Sequence, residues 1–188
     1  YPRTEIDVRV DTDLAWGAGA AMQSLRIELR VGGAVGEVVS QRTVTLNRGV
    51  DPVLLPLTFA MSPRDQDATR RVWIQVHGCH GSNGCGDDVG EAPLVTQRAL
   101  VSYVRRETRR LDVFLASRCV GVACDTSQRC DVATGVCVGV EVPVEQLRPV
   151  QEADAGPLVD VVATVDAPDV PITADAPDVP VVLDPPDV

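Results

Sequence analysis

Apolar and polar residues alternate one by one through most of the first 117 positions. Ile6, Val8 and Val10 are interleaved with Asp7, Arg9 and Asp11, and Leu25, Ile27, Leu29 and Val31 with Arg26, Glu28 and Arg30. The same rhythm returns in Val53/Leu55/Leu57/Phe59, in Val72/Ile74/Val76 and in Leu111/Val113/Leu115, with weaker versions over 38–46 and 95–104. Successive side chains of a strand point to opposite faces, so each pattern describes a strand with one buried and one wetted face. Gly32-Gly33, Asn47-Arg48-Gly49 and the glycine-rich stretch 78–90 supply turn chemistry between them. Seven short strands without an amphipathic helix predict an all-β fold over 1–117. The expected form is an antiparallel β-sandwich of the immunoglobulin or fibronectin type III kind.

Three local features refine this picture. The stretch 14–23 contains Gly17 and Gly19, which favour a loop over a turn of helix. Pro56 has no N–H to give to a ladder, so its strand belongs at a sheet edge or a bulge. Trp73 falls on the face opposite Val72, Ile74 and Val76. There it reads as a sandwich-margin residue, with an exposed contact as the alternative. Aromatic residues are 3% of the chain, so Val, Leu and Ile must supply the core.

Beyond the sandwich the pattern changes twice. Residues 118–150 hold four cysteines, at 119, 124, 130 and 137, and then an extended connection containing Pro143 and Pro149. This knob is too small to bury a core unaided and needs staples. Residues 151–188 read as a repeat: VDAPDVPIT, ADAPDVPVV and the opening of a third copy, LDPPDV. Frequent proline removes ladder donors, and one-signed charge extends the chain, so a disordered acidic Pro/Asp/Val linker is expected. Nine of the 27 acids and none of the 17 basic residues lie in it, so it carries nearly all of the net charge of −10. The acidity therefore belongs to the tail, and the preceding 150 residues are close to neutral.

Six cysteines in an even, closely spaced set predict disulfides and an oxidising, extracytoplasmic compartment. Cys79–Cys85 would close a loop between strands. The remaining four allow three pairings. The crossed one, Cys119–Cys130 with Cys124–Cys137, is the expectation because it ties both ends of so short a unit. The rival is zinc held by His77, Cys79, His80 and Cys85, next to Asp87 and Asp88, but that spacing matches no standard zinc arrangement. No apolar run reaches the roughly 18–20 residues of a membrane helix. No signal peptide precedes the first strand, so export implies one removed or encoded upstream.

Arg105, Arg106, Arg109 and Arg110 place four guanidinium groups in six residues, a candidate contact for phosphate or an anionic polysaccharide. The run also coincides with the turn of an expected hairpin between 98–104 and 111–117, where arginine is solvated in any case. Without interleaved aromatics in a near-neutral domain, nucleic acid is not an expected partner. Calcium at the acidic repeats is not expected either, because proline holds the carboxylates apart. The chain lacks the motifs of serine hydrolases, zinc proteases, P-loop enzymes and dinucleotide-binding enzymes. Two histidines set beside cysteines leave no base for a nucleophile. No enzymatic activity and no cofactor are expected.

The segment Leu115-x3-Cys119-Val-Gly-Val-x-Cys124-x5-Cys130-x4-Gly135-x-Cys137, directly after RRLDVFL, resembles uncharacterised myxobacterial exported proteins and lipoproteins, as does the opening EIDVRVDTDL. That group has a β-sandwich, a four-cysteine knob and an Asp/Pro-rich linker, often with a further domain after it. The resemblance supports the sandwich fold and an extracytoplasmic location; with the absence of catalytic motifs, the expectation is a non-catalytic surface module, secreted or anchored at the outer surface, with a spacer tail. An adhesin-like domain that binds a cell-surface protein or glycan through sandwich loops is the alternative.

Overall fold

The computed structural model describes residues 3–47, 53–64, 67–86 and 90–150. The acidic repeat, the Arg48-Gly49 part of one expected turn and the Asp87-Asp88 pair lie outside them. Seven strands form where the alternation places them: β1 (Glu5–Thr12), β2 (Ser24–Val31), β3 (Glu37–Thr45), β4 (Leu57–Met61), β5 (Arg71–Cys79), β6 (Val95–Ser102) and β7 (Thr108–Leu115). Three short strands follow, β8 (Gln128–Cys130), β9 (Cys137–Gly139) and β10 (Arg148–Pro149).

Two sheets make the sandwich, ordered β10-β7-β1-β4 and β3-β2-β5-β6. The apolar half of each alternation meets between them. Ile6, Val8, Val10, Leu111, Val113 and Leu115 come from one sheet, facing Leu25, Ile74, Val76, Val95 and Val101 of the other. Each fully buried aliphatic side chain contributes about 1.5–3 kcal/mol.

One neighbour pair departs from the expected antiparallel pattern. β1 and β7 run parallel, in register from Glu5↔Thr108 to Thr12↔Leu115. Strand direction alternates along the chain, so the first and seventh strands point the same way, and lying side by side they pair in parallel. A second departure concerns 103–107, which joins β6 to β7. These strands lie in different sheets, so this turn is a crossing from sheet to sheet and not the tip of a hairpin.

Pro56 stands just before β4, which is an edge strand, and the Val53–Phe59 pattern becomes ladder only from Leu57 onward. Leu14–Gln23 is a loop, with Gly17 and Gly19 at positive φ. Gly78 is required for a different reason. A Cβ there would lie 2.5 Å from the Met22 sulfur and 2.9 Å from a Val95 methyl.

The stretch 138–150 is more than an extended connection. Leu100 N–H donates to the Val140 carbonyl, and Val142 N–H donates to the Leu100 carbonyl, both across the free edge of β6. β10 then covers the edge of β7, pairing Arg148 with Arg110 and Pro149 with Arg109. Val140, Val142 and Leu147 are buried, and Cys119, Cys130, Val142 and Leu147 belong to the same core as the sandwich. The knob is stapled as expected, and it also shares its neighbour's core.

Candidate binding surfaces

Strand direction gives the sandwich two poles. One collects the turns 32–36, 62–70 and 103–107. The other collects the longer connections 13–23, 46–56, 80–94 and 116–122. Glu5 N–H donates to the Glu107 carbonyl, and Val150 N–H donates to the Thr108 carbonyl, so the start of β1 and the last described residue meet at the first pole. Val150, after which the acidic repeat follows in sequence, therefore lies at this pole.

The loops of the opposite pole are held together by polar side chains and staples. Cys79–Cys85 closes a loop of sequence separation 6, with both cysteines fully buried. The Ser24 hydroxyl donates to the Gly81 carbonyl at 2.6 Å and accepts from the Gly84 N–H at 3.2 Å, fastening that loop to β2. Thr45 donates to the Ser82 carbonyl. Asp13 accepts from the Ser117 N–H and hydroxyl, fixing the 13–23 loop to the 3₁₀ turn Ser117–Cys119. Slight burial would raise the Asp13 carboxyl, but the two Ser117 bonds outweigh it and hold the carboxyl below its ordinary value. A notch of about 250 Å³ opens between these loops, lined among others by Gln23, Thr45, Asn47 and Ser82.

The knob carries Cys119–Cys130 and Cys124–Cys137, the crossed pairing. It grips β6 from both faces. On the core side Gln97 donates to the Cys130 carbonyl at 2.9 Å. On the outer side Arg98 donates to the Cys124 carbonyl at 3.1 Å and to Gln75 Oε1 at 2.7 Å. Burial lowers the Arg98 pKa, with Asp125 opposing. Because Cys79 and Cys85 are bonded to each other, the His77/Cys79/His80/Cys85 set has no thiolate to offer a metal. His77 instead continues a polar row on the sheet's outer face, with Gln75 against its Nε2 at 2.6 Å and Thr96 against its Nδ1 at 2.8 Å. Among the described residues no three His, Cys, Asp or Glu side chains converge as a metal site.

Trp73 lies on that outer face as its register requires, yet it is only 3% exposed. Leu100 is its neighbour on β6, and the Arg30 guanidinium sits 5.8 Å from its ring centroid, within cation–π range. Farther along the same face Arg26 donates to the Cys85 carbonyl at 2.9 Å. Trp73 is thus a buried residue on the outer face of an inner strand, with Arg30 against its ring, and not an exposed contact.

The four clustered arginines separate once folded. Arg109 donates to Glu107 and to the Leu147 carbonyl. Arg110 stands beside Asp7 on the neighbouring strand, where its charge lowers the Asp7 carboxyl against a larger upward push from burial. Arg105 and Arg106 remain exposed on the turn, with Arg106 at φ 61° and its N–H bonded to the Thr4 hydroxyl. Of the four, Arg105 and Arg106 are thus the exposed pair on the turn.

The last surface is one the alternation alone does not reveal. On the side away from the knob, β3 and β4 are both edge strands, and a cleft of about 410 Å³ opens between them. Leu29, Val39, Met61, Val72 and Tyr103 line it, with Glu37, Arg64 and Arg70 at its rim. Burial, reinforced by the Glu5 charge, raises the Tyr103 pKa to about 12. Tyr103 continues the inward series Val95, Gln97, Ala99, Val101, a signal present in the sequence. The rim arginines lie in a connection with no pattern to mark them.

No family model matches the chain, and no curated protein or solved structure is similar to it.

Proposed function

We propose that this chain is a non-catalytic, extracytoplasmic surface module, tethered at one pole by its acidic repeat and presenting stapled loops at the other. The observation that carries this reading is the polarity of the fold. Val150 is bonded beside the start of β7, while the Cys79–Cys85 loop and the turn at Cys119 lie at the far end. A tether is most useful when its attachment is remote from the face on display.

Three disulfides point to an oxidising environment, because cytosolic thiol pools keep such pairs reduced. No helix among the described residues is long and apolar enough to cross a membrane. Secretion or outer-surface anchoring is the finer part of the proposal, and it agrees with the resemblance to myxobacterial exported proteins and lipoproteins. The test uses an antibody raised against loop 80–86 on intact source cells, with thiol alkylation of the extracted chain before reduction. Labelling of unbroken cells and no alkylated cysteine are expected. Labelling only after lysis, or six free thiols, overturns the proposal.

A second reading, adhesion through the sandwich loops, is favoured by the notch among Gln23, Thr45, Asn47 and Ser82. Amide and hydroxyl groups lining a small concavity suit the hydroxyls of a sugar. Saturable binding on a glycan array, abolished by Asn47→Ala, would support it. An empty array, or binding unchanged in the variant, would remove it.

A further inference from the structure

We propose that Cys124–Cys137 is a thiol–disulfide exchange site, a clasp on the outside of the knob that an external dithiol opens before either of the other bridges. Burial divides the three bridges into two kinds. Cys79 and Cys85 are fully buried, and Cys119 and Cys130 are 1% and 3% exposed. Cys124 and Cys137 are both partly exposed. An attacking thiolate must reach a sulfur, so an open bridge exchanges directly, whereas a buried one waits for local unfolding.

The two sides of the clasp are not equivalent. Cys124 packs against the core, while Cys137 stands between Val136 and Val138, which are 59% and 38% exposed. Attack therefore falls on the Cys137 sulfur. The incoming thiolate forms a mixed disulfide there and displaces the Cys124 thiolate. The second thiol of the reagent then attacks its own sulfur in the mixed disulfide and displaces the Cys137 thiolate. Two electrons have passed from the dithiol, which leaves as a disulfide, and its two protons go to Cys124 and Cys137 through the solvent.

The consequence is local, because the clasp and the inner bridge hold different things. Cys119–Cys130 lies in the shared core, where Gln97 bonds the Cys130 carbonyl, and it keeps β8 seated on β6. The outer segment 120–127 is fastened by Arg98, which donates to the Cys124 and Asp125 carbonyls at 3.1 and 3.4 Å. Gly121 N–H adds a bond to the Leu94 carbonyl at 3.2 Å. With the clasp open this segment loosens, and the sandwich and the inner bridge persist. The proposal needs the three bridges and does not depend on the display reading.

The experiment exposes the full chain, without denaturant, to increasing dithiothreitol at mildly alkaline pH. Iodoacetamide traps free thiols, and tandem mass spectrometry assigns the label to each cysteine. No label is expected before reduction. Cys124 and Cys137 should then be labelled together, at least about tenfold faster than the other four cysteines. Hydrogen exchange of the singly opened chain should quicken at Gly121, Val122 and Gln128, the bonded amides around this segment, and stay unchanged in β2 and β5. Label before reduction, or equal or earlier opening of either buried bridge, overturns the proposal. So does an opened clasp that leaves those three amides as protected as before, or one that unfolds β2 and β5.

Discussion

The two flanks of the sandwich solve the same problem in opposite ways. Both sheets end in strands whose outer N–H and C=O groups invite pairing with another chain. On one flank the chain itself supplies the cover: 140–142 bonds to the edge of β6, and β10 to the edge of β7. On the other flank β3 and β4 have no further strand beside them among the described residues. β3 is made a poor template instead. Val39 forms a bulge between the pairs Leu29↔Ser40 and Arg30↔Val38, and Arg42 occupies the core-side register opposite Ile27. A bulge twists the edge away, and a charge on the core side penalises a flat, dry extension of the sheet. Covering a flank adds buried area and leaves no room. Blunting an edge adds no area and leaves a cleft.

The largest expected effect comes from stripping the covered flank. Truncation after Gly139 removes Val140, Val142 and Leu147 from the core and exposes two edges together. At about 1.5–3 kcal/mol per buried side chain the loss should be roughly 5 kcal/mol or more, enough to unfold a domain of ordinary stability. Urea denaturation measures it, and a stable truncated sandwich would mean that the cover is ornamental. Single substitutions should repeat the contrast at smaller scale. Leu147→Ala, at a site 1% exposed, should cost about 2–4 kcal/mol, whereas Val38→Ala, at a site 43% exposed, should cost less than about 0.5. Similar costs at the two sites would erase the distinction between the flanks.

The third prediction concerns alkaline pH and belongs to the open flank. Burial, then the Glu5 charge, raises Tyr103 from 10.0 to about 12. The folded chain holds this proton more tightly than the unfolded chain. The resulting stability is complete below about pH 10 and is lost as pH rises toward 12. Two pKa units correspond to at most about 2.7 kcal/mol. Tyr103→Phe should flatten that part of the stability–pH curve, while Leu147→Ala should leave its slope intact. The smallest effect is expected at the tail. Truncation after Val150 spares every described contact and should change stability by less than about 1 kcal/mol, read from the melting temperature. A larger loss would mean that the acidic repeat contributes to the fold, against the role proposed for it.

Much of this architecture is legible in the sequence, for a specific reason. Leu25–Val31 and Val72–Val76 are strands with one dry face, so alternation is enforced by burial and can be read back. The cysteine staples are legible because the loops they close are short. Neighbour relations are not, because the same alternation in β1 and β7 fits any partner of suitable length. Val140 and Val142 do alternate, but Pro143 and Pro149 interrupt the pattern, and an edge cover of two or three bonds leaves too short a signal. The arginine run reads as one patch in sequence. A strand divides it, sending Arg110 to Asp7 and Arg109 to Glu107 while the turn keeps Arg105 and Arg106. Tyr103 could be placed inward by its register, but the emptiness beside it depends on a flank that only the folded topology defines.

The parallel seam between β1 and β7 governs when this chain can fold. The Thr12 hydroxyl donates to the Leu115 carbonyl across 103 residues, and Asp13 reaches Ser117 across 104. Contacts of such long sequence separation are slow to form, because loop-closure entropy is lost before any contact compensates for it. Until β7 is present, β1 has β4 as its only strand neighbour, and the core face of that sheet lacks Leu111, Val113 and Leu115. A growing chain therefore stays open until nearly the whole sandwich has emerged, and its flank closes only when residues 140–149 follow. If the chain is exported as a thread, as the proposed function has it, a first strand that waits for the last is a built-in delay before its cysteines are oxidised.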